Sequence, residues 1–215
     1  YGKNIASLHQ DLVAQGIKVS LQKVAGYHTN YFRAMNDVRT FIDTRPDFVL
    51  EHGYVENILG FRVPIDADPN RAEKGGFWKN QAVNSPIQGA AHQILLGCLA
   101  LLRRNREKYK LIRPQLEIHD ALYTISKIRD IKSTLGLLVP LLEKEGPQMI
   151  SEEFGIDWKI PFVAGVEIGF RIGGLIEVED PTAFSLEETF EAIVEKTKKQ
   201  DKELEELEKK YAKVA

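Results

Sequence analysis

The ten residues Leu116-Glu-Ile-His-Asp-Ala-Leu-Tyr-Thr-Ile125 restrict the possible folds most. Their apolar positions alternate with period two, while the long stretches on either side repeat at three and four residues. Leu116, Ile118 and the Leu122/Ile125 side predict two short strands meeting in a tight turn, with His119-Asp120 at the tip. A polar tip on a buried hairpin would present the Asp120 carboxylate to a cleft. A hairpin set among helices is neither all-α nor parallel α/β, so the expected class is α+β.

The helical stretches are read from the same spacing rule. Residues 3–14 and 20–44 carry it, with Leu21, Val24, Tyr27, Tyr31, Met35, Val38 and Ile42 on one face and Ser20 as N-cap. Arg45-Pro46 is expected to interrupt the second helix, because a residue before proline is pushed out of the helical region. Gly53-Tyr-Val-Glu56 starts an extended stretch, Gly60 marks a turn, and Pro64 to Pro69 form a loop. Asp66 and Asp68 have a metal-ligand spacing, but beside two prolines they read rather as turn-formers. Residues 78–109 are helical again, interrupted near Asn84-Ser85-Pro86, with Ile87, Ile94, Leu95, Cys98, Leu101 and Leu102 as the buried stripe. Another helix is expected over 128–153 and an apolar strand over 162–170, where Gly165 and Gly169 permit close approach.

Composition enters where partners are at issue. The 215 residues hold 29 Lys+Arg against 31 Asp+Glu, yet the two signs are unevenly placed. Residues 176–215 carry seven Lys and twelve acidic residues, so the body is mildly basic and the tail acidic. Arg103, Arg104, Arg106, Lys108, Lys110 and Arg113 crowd eleven positions with Glu107 alone opposing them, a cluster that suits either a polyanion or a solvated helix end. The tail repeats at four and three through Leu186, Phe190, Ile193, Thr197, Gln200, Leu204, Leu207, Tyr211 and Val214. It reads as an amphipathic helix that packs on the body or pairs as a coiled coil through 186–214. One cysteine, Cys98, excludes an internal disulfide, and no apolar run is expected to reach the roughly 20 residues of a membrane span. With no secretory signal at Tyr1, a cytoplasmic setting is expected, including that of a viral protein in a host cytoplasm, and the chain reads as cut from something longer.

In order and spacing, Tyr1-Gly2, Gly53-Tyr-Val-Glu56, Asn84-Ser-Pro-Ile-Gln88-Gly, His119-Asp120 and Val166-Glu-Ile-Gly169 together resemble the C-terminal part of a family A DNA polymerase, the bacterial DNA polymerase I type. The resemblance covers residues 1 to about 172. It implies the remainder of a fingers subdomain over 1–62, a palm portion with an antiparallel hairpin sheet and helices over 63–175, and an acidic helical extension over 176–215. It also implies template-directed extension of a primer by two-metal phosphoryl transfer from dNTPs. In that reading Asp120 is a Mg²⁺ ligand and His119 lies beside the primer terminus. Asn84 and Gln88 check base-pair geometry from the minor groove, where amides meet similar acceptors at every pair. Tyr1 stacks on the nascent base pair and Gly2 ends the fingers helix; beside the resemblance, the basic cluster makes Arg103 and Arg104 the expected DNA contacts. The partners implied are primer-template DNA and dNTP, with two Mg²⁺ ions in the complete site.

Departures from the pattern carry their own expectations. The family's first metal-binding Asp and the Arg and Lys that grip the nucleotide phosphates have no counterpart here, so the chain alone is expected to be inactive and to need an N-terminal polymerase portion. Ala121 stands where the bacterial enzymes usually carry Glu, and Asn80 where an Arg often precedes the Asn-x-Pro motif, which suggests a divergent viral or organellar member. A non-catalytic nucleic-acid-binding module with a palm fold and a fragment of a single-subunit RNA polymerase are the alternatives; the Asn84 to Gly89 segment argues for a DNA polymerase.

Overall fold

A computed structural model describes residues 4–68 and 77–211, with side chains to residue 205. Helices and small antiparallel sheets alternate along the chain, as an α+β fold requires. Two compact units divide it, Tyr1–Gln93 and Ile94–Ala215.

In the first unit, α1 (Ile5–Ala14) is capped by the Asn4 side chain, which accepts from the Ser7 amide at 2.8 Å. The Ser20 hydroxyl caps α2 (Leu21–Ala34) by accepting from the Lys23 amide, as the sequence predicts. The next break differs from expectation. Met35, at φ −115° and ψ 57°, ends α2, and α3 (Asn36–His52) then runs straight through Pro46. A proline inside a helix costs about 3 kcal/mol, chiefly through one lost hydrogen bond and a clash with the preceding turn. Packing on both sides of it offsets that cost: the Arg45 guanidinium lies over the Phe41 and Phe48 rings, Phe48 stacks on His52, and Val49 is buried. The helix stops where Gly53 turns left-handed at φ 76°.

The apolar face expected on α2 is mostly exposed. Val24 is buried, while Tyr27, Tyr31 and Met35 are half exposed, because α2 meets α1 and α3 along a narrower strip than its periodicity spans. Strands β1 (Tyr54–Glu56) and β2 (Arg62–Pro64) form a hairpin in register Val55↔Val63, and Gly60 makes its turn at φ 81°. Asn57 closes that loop: its Oδ1 accepts from the Leu59 and Phe61 amides, and its Nδ2 donates to Gln93 Oε1 at 2.6 Å. Val49, Val55, Ile65, Trp78 and Ala82 make the core of this unit.

Helix α4 (Phe77–Arg104) gives its N-terminal part to the first unit and its C-terminal part to the second. The expected interruption near Pro86 is absent; Ala82, Val83 and Pro86 are all buried, and that anchoring carries the helix across the proline. Ile87, expected in the buried stripe, is 40% exposed, whereas Ile94, Leu95 and Cys98 are buried as expected. By length and composition α4 could cross a bilayer, which the apolar-run reading did not anticipate; polar Asn84, Gln88, His92 and Gln93 interrupt it.

The second unit is built on the end of α4. After turns at 105–111 come β3 (Pro114–Ile118) and β4 (Ala121–Thr124), then a continuous helical run. This run comprises a short 3₁₀ turn, α5 (Ile131–Pro140), a five-residue π turn (Leu141–Glu145) and α6 (Gly146–Phe154). The apolar strand expected over 162–170 shortens to β5 (Val166–Ile168), which pairs antiparallel with β6 (Ile176–Val178) inside the segment expected to be helical. Gly169 is required there, since a Cβ would lie 2.7 Å from the Gly174 carbonyl oxygen; at Gly165 nothing lies within 4 Å, so that glycine makes no close approach.

The tail helix α7 (Leu186–Tyr211) packs on its own unit. Ile193 is fully buried, Phe190 stacks on Phe170, and Arg171 pairs with Asp201 at 2.6 Å. Thr197 and Gln200, which interrupt the heptad stripe, face the 3₁₀ turn at Ile172–Gly174, where the Gln200 amide donates to the Gly173 carbonyl. The stripe is therefore covered by this chain from Phe190 to Gln200, and not free for a coiled-coil partner there. Leu204 is 54% exposed, and the side chains of Leu207, Tyr211 and Val214 lie outside the described residues.

Candidate active site and nucleic-acid interface

The hairpin expected at 116–125 is present with its turn where the alternation breaks. Ile118 pairs with Ala121, leaving His119 and Asp120 as a two-residue connection. His119 takes φ 57°, the left-handed conformation that such turns need at a central position and that a non-glycine residue adopts only when its surroundings impose it. Both side chains of the tip are exposed.

The hairpin itself is not buried. Leu116 and Ile118 are 45% and 40% exposed, and the half-buried face is the opposite one, with Glu117 across from Leu122. A register irregularity between Pro114 and Leu116 inserts Gln115 as an extra residue, so the strand's alternation does not run unbroken from its first residue. Asp120 thus stands at an open tip. Among the described residues no three His, Cys, Asp or Glu converge to hold a metal ion, and Asp66 and Asp68 belong to no such group. Mg²⁺ takes one or two carboxylates with water and phosphate oxygens completing its octahedron. Asp120 has the right chemistry for one such ligand, and the remaining ligands would have to come from elsewhere.

Asn84 and Gln88 lie one turn apart on α4, on one face. Asn84 sits seven residues inside the helix, so it is not an N-cap. It is half-buried, and its buried Oδ1 accepts no hydrogen bond among the described residues; Gln88 is exposed. Tyr1 and Gly2 lie outside the described residues.

Arg103 and Arg104 close α4, both exposed, where cations offset the C-terminal end of the helix dipole. Arg104 also reaches Met149 Sδ at 3.8 Å. The basic cluster is less uniform than the sequence implies. Lys108 is paired with Glu145, whose carboxylate also accepts from the Tyr109 hydroxyl. These bonds, Lys108 first, hold the Glu145 carboxyl below its ordinary range. The same contact raises Lys108, and burial, more than the bond to Glu145, raises Tyr109. Glu145 is the residue the sequence reading missed. It stands 37 positions from Lys108 on another helix, and its charge is unremarkable there.

Residues 1–171 match the family described as DNA polymerase family A. Among curated proteins the chain is similar to DNA polymerase I A, chloroplastic/mitochondrial, of Arabidopsis thaliana, at 25% identity over 162 residues covering 74% of this chain and 15% of that protein. It is similar to DNA polymerase I of Caldicellulosiruptor bescii at 28% over 152 residues, covering 62% and 18% respectively. The DNA polymerase of Bacillus phage SP01 is 24% identical over 184 residues, covering 84% of this chain and 20% of the phage protein. The chain spans a fifth or less of the length of each of these relatives.

Proposed function

Because the chain belongs to DNA polymerase family A, we propose that it supplies the C-terminal part of a template-directed DNA polymerase and works with an N-terminal portion. The observation that carries the reading is the two-residue turn that holds Asp120 at the exposed tip of β3 and β4. A carboxylate there can reach a bound nucleic-acid terminus without the rest of the hairpin intervening.

In this reading Asp120 would offer one ligand oxygen to Mg²⁺, with a second carboxylate supplied by the N-terminal portion; bound there, the metal would lower the pKa of the primer 3′ hydroxyl and neutralise phosphate charge. His119, fixed by the left-handed turn, donates a hydrogen bond to the primer backbone. Gln88, exposed on α4, and Asn84 one turn before it offer amide N–H groups to the acceptors that the minor groove presents at every base pair. Tyr1 and Gly2, outside the described residues, keep the roles the family resemblance implies, stacking on the nascent base pair and ending the fingers helix. Arg103 and Arg104 contact phosphate oxygens, positioning the duplex without reading its sequence. Residues 1–62 correspond to the fingers remainder, 63–175 to the palm portion and 176–215 to an extension.

Primer extension by this chain together with its N-terminal portion tests the reading. Asp120→Asn is expected to lower the rate by at least about a hundredfold, since loss of a metal ligand should exceed the effect of losing a group behind one. Extension that survives Asp120→Asn would instead identify a non-catalytic nucleic-acid-binding module.

A further inference from the structure

Residues 105–113 follow α4 and lead into β3 without regular structure, yet they are fixed from within. Tyr109 is 1% exposed and Ile112 4%. The Tyr109 amide bonds the Asn105 carbonyl at 3.2 Å, the Ile112 amide bonds the Tyr109 carbonyl at 2.9 Å, and the Asn105 side chain donates to the Leu101 carbonyl. Glu145 binds both the Tyr109 hydroxyl and the Lys108 ammonium from the π turn. A turn anchored this way shows the solvent a fixed set of charges: Arg103, Arg104, Arg106, Lys110 and Arg113 are all exposed. Glu145 is engaged by Lys108, and no carboxylate among the described residues pairs with those five cations.

The place of this surface matters as much as its charge. The Ile125 amide bonds the Arg113 carbonyl at the open end of the hairpin, and Asp120 is at the other end. Five strand residues separate the two ends, roughly 17 Å at about 3.4 Å per residue. At that distance Arg113 cannot touch the reacting atoms at the tip. The segment's one aromatic ring, Tyr109, is buried, so the surface has no platform on which unpaired bases could stack. What remains is a row of cations, two of them beyond the end of α4 carrying the planar fork that suits phosphate oxygens.

We propose that Arg106, Lys110 and Arg113, continuous with Arg103 and Arg104, form a second contact surface for the phosphodiester backbone of duplex DNA, one that sets affinity and not chemistry. The choice of DNA as the polyanion rests on the polymerase reading above. Glu145 is a positioning residue for this surface, since it holds the turn that displays it.

The test is binding of the full chain to a fluorescein-labelled duplex of roughly 20 base pairs, by anisotropy from about 50 to 200 mM salt. Each lost phosphate contact flattens the log–log salt dependence by about 0.9, so the variant carrying Arg106→Gln, Lys110→Gln and Arg113→Gln together should flatten it by about 2.7. The corresponding Arg→Lys variants should keep the wild-type slope. If the triple variant does not fold, Arg106→Gln and Arg113→Gln singly should each flatten it by about 0.9. In primer extension the triple variant should raise KM for primer-template with kcat unchanged, the reverse of Asp120→Asn. A wild-type slope in the triple variant, or tighter binding to a single strand or an acidic peptide than to the duplex, overturns the proposal. Failure of the polymerase reading is separately visible, because it removes primer extension and leaves the binding isotherms as they are.

Discussion

Gly146 and Cys98 occupy one space: a Cβ built on Gly146 would lie 2.1 Å from the Cys98 sulfur and 3.0 Å from the Leu141 carbonyl oxygen. The end of α4 and the start of α6 approach as closely as backbone allows, and Gly97 repeats the arrangement against Ile150, with a Cβ 2.5 Å from its Cδ1. Gly146→Ala should therefore destabilise the second unit by about 1–3 kcal/mol, the usual cost of overpacking a dense core. Cys98→Ala in the same chain should return part of that loss. Urea midpoints of the two single variants and the double variant measure the coupling, and strict additivity would contradict the contact.

Burial also pushes the Cys98 thiol up to about 11. In the native protein it should react with a disulfide reagent at pH 8 only as fast as the unit opens, because thiolate is scarce and access is closed. Reaction rates that rise with urea in step with unfolding are the expected result; a native rate equal to that of a free thiol would contradict it.

The acid limb of stability should depend on Glu145. Its folded carboxyl lies below the ordinary value, so the stabilisation it brings is complete above the unfolded pKa, near 4.5, and is lost as pH falls through the lower folded value. Lys108 and Tyr109 are raised, so their share is complete below their unfolded values and is lost as pH climbs through the folded ones. Glu145→Gln should flatten the urea midpoint between about pH 5 and 3 relative to wild type. Matching acid limbs in the two proteins would show that the clamp contributes nothing.

His119 separates strain from function at the tip. His119→Gly should hold or raise stability, because glycine adopts φ 57° without penalty, while His119→Val should cost about 1–2 kcal/mol. Both variants should slow primer extension, so an effect on rate that follows stability alone would remove the case for a primer contact.

In α7, Ile193 and Leu204 share the heptad stripe but differ in what covers them, fully buried against 54% exposed. Ile193→Ala should cost about 2–4 kcal/mol and Leu204→Ala well under 1. Equal costs, or dissociation of an oligomer on Leu204→Ala, would point to a partner along the whole stripe.

The tip of the hairpin was legible because two local signals coincide there, alternation of apolar residues and a polar pair at the break. The Ser20 cap and the Gly60 turn were legible for the same reason: each is decided within four residues. Pro46 and Pro86 misled because their effect on a helix is local, while the burial of Val49 beside one and of Ala82 beside the other in a shared core with Val55, Ile65 and Trp78 is decided by chain that lies apart in sequence. The exposed side of β3 was misread because alternation separates two faces without saying which is covered: Leu116 and Ile118 share one face, as read, but the half-buried face is that of Glu117 and Leu122. Thr197 and Gln200 looked like defects in a coiled coil. The Gln200 amide instead bonds the backbone of a turn some 25 residues earlier, and Thr197 is part-buried beside the same turn, which no spacing rule on the helix could show.

The π turn at Leu141–Glu145 stores one residue more than an α-helical path between α5 and α6 would use. It works as slack taken up inside an otherwise continuous rod. Elsewhere along 131–154 the loss of one residue would swing everything downstream by about 100° around the axis. Within the bulge, removal of exposed Lys144 merely returns the path to ordinary pitch, so Gly146 still meets Cys98. The site of least regular winding is thus also where this stretch of chain can change length and keep its alignment.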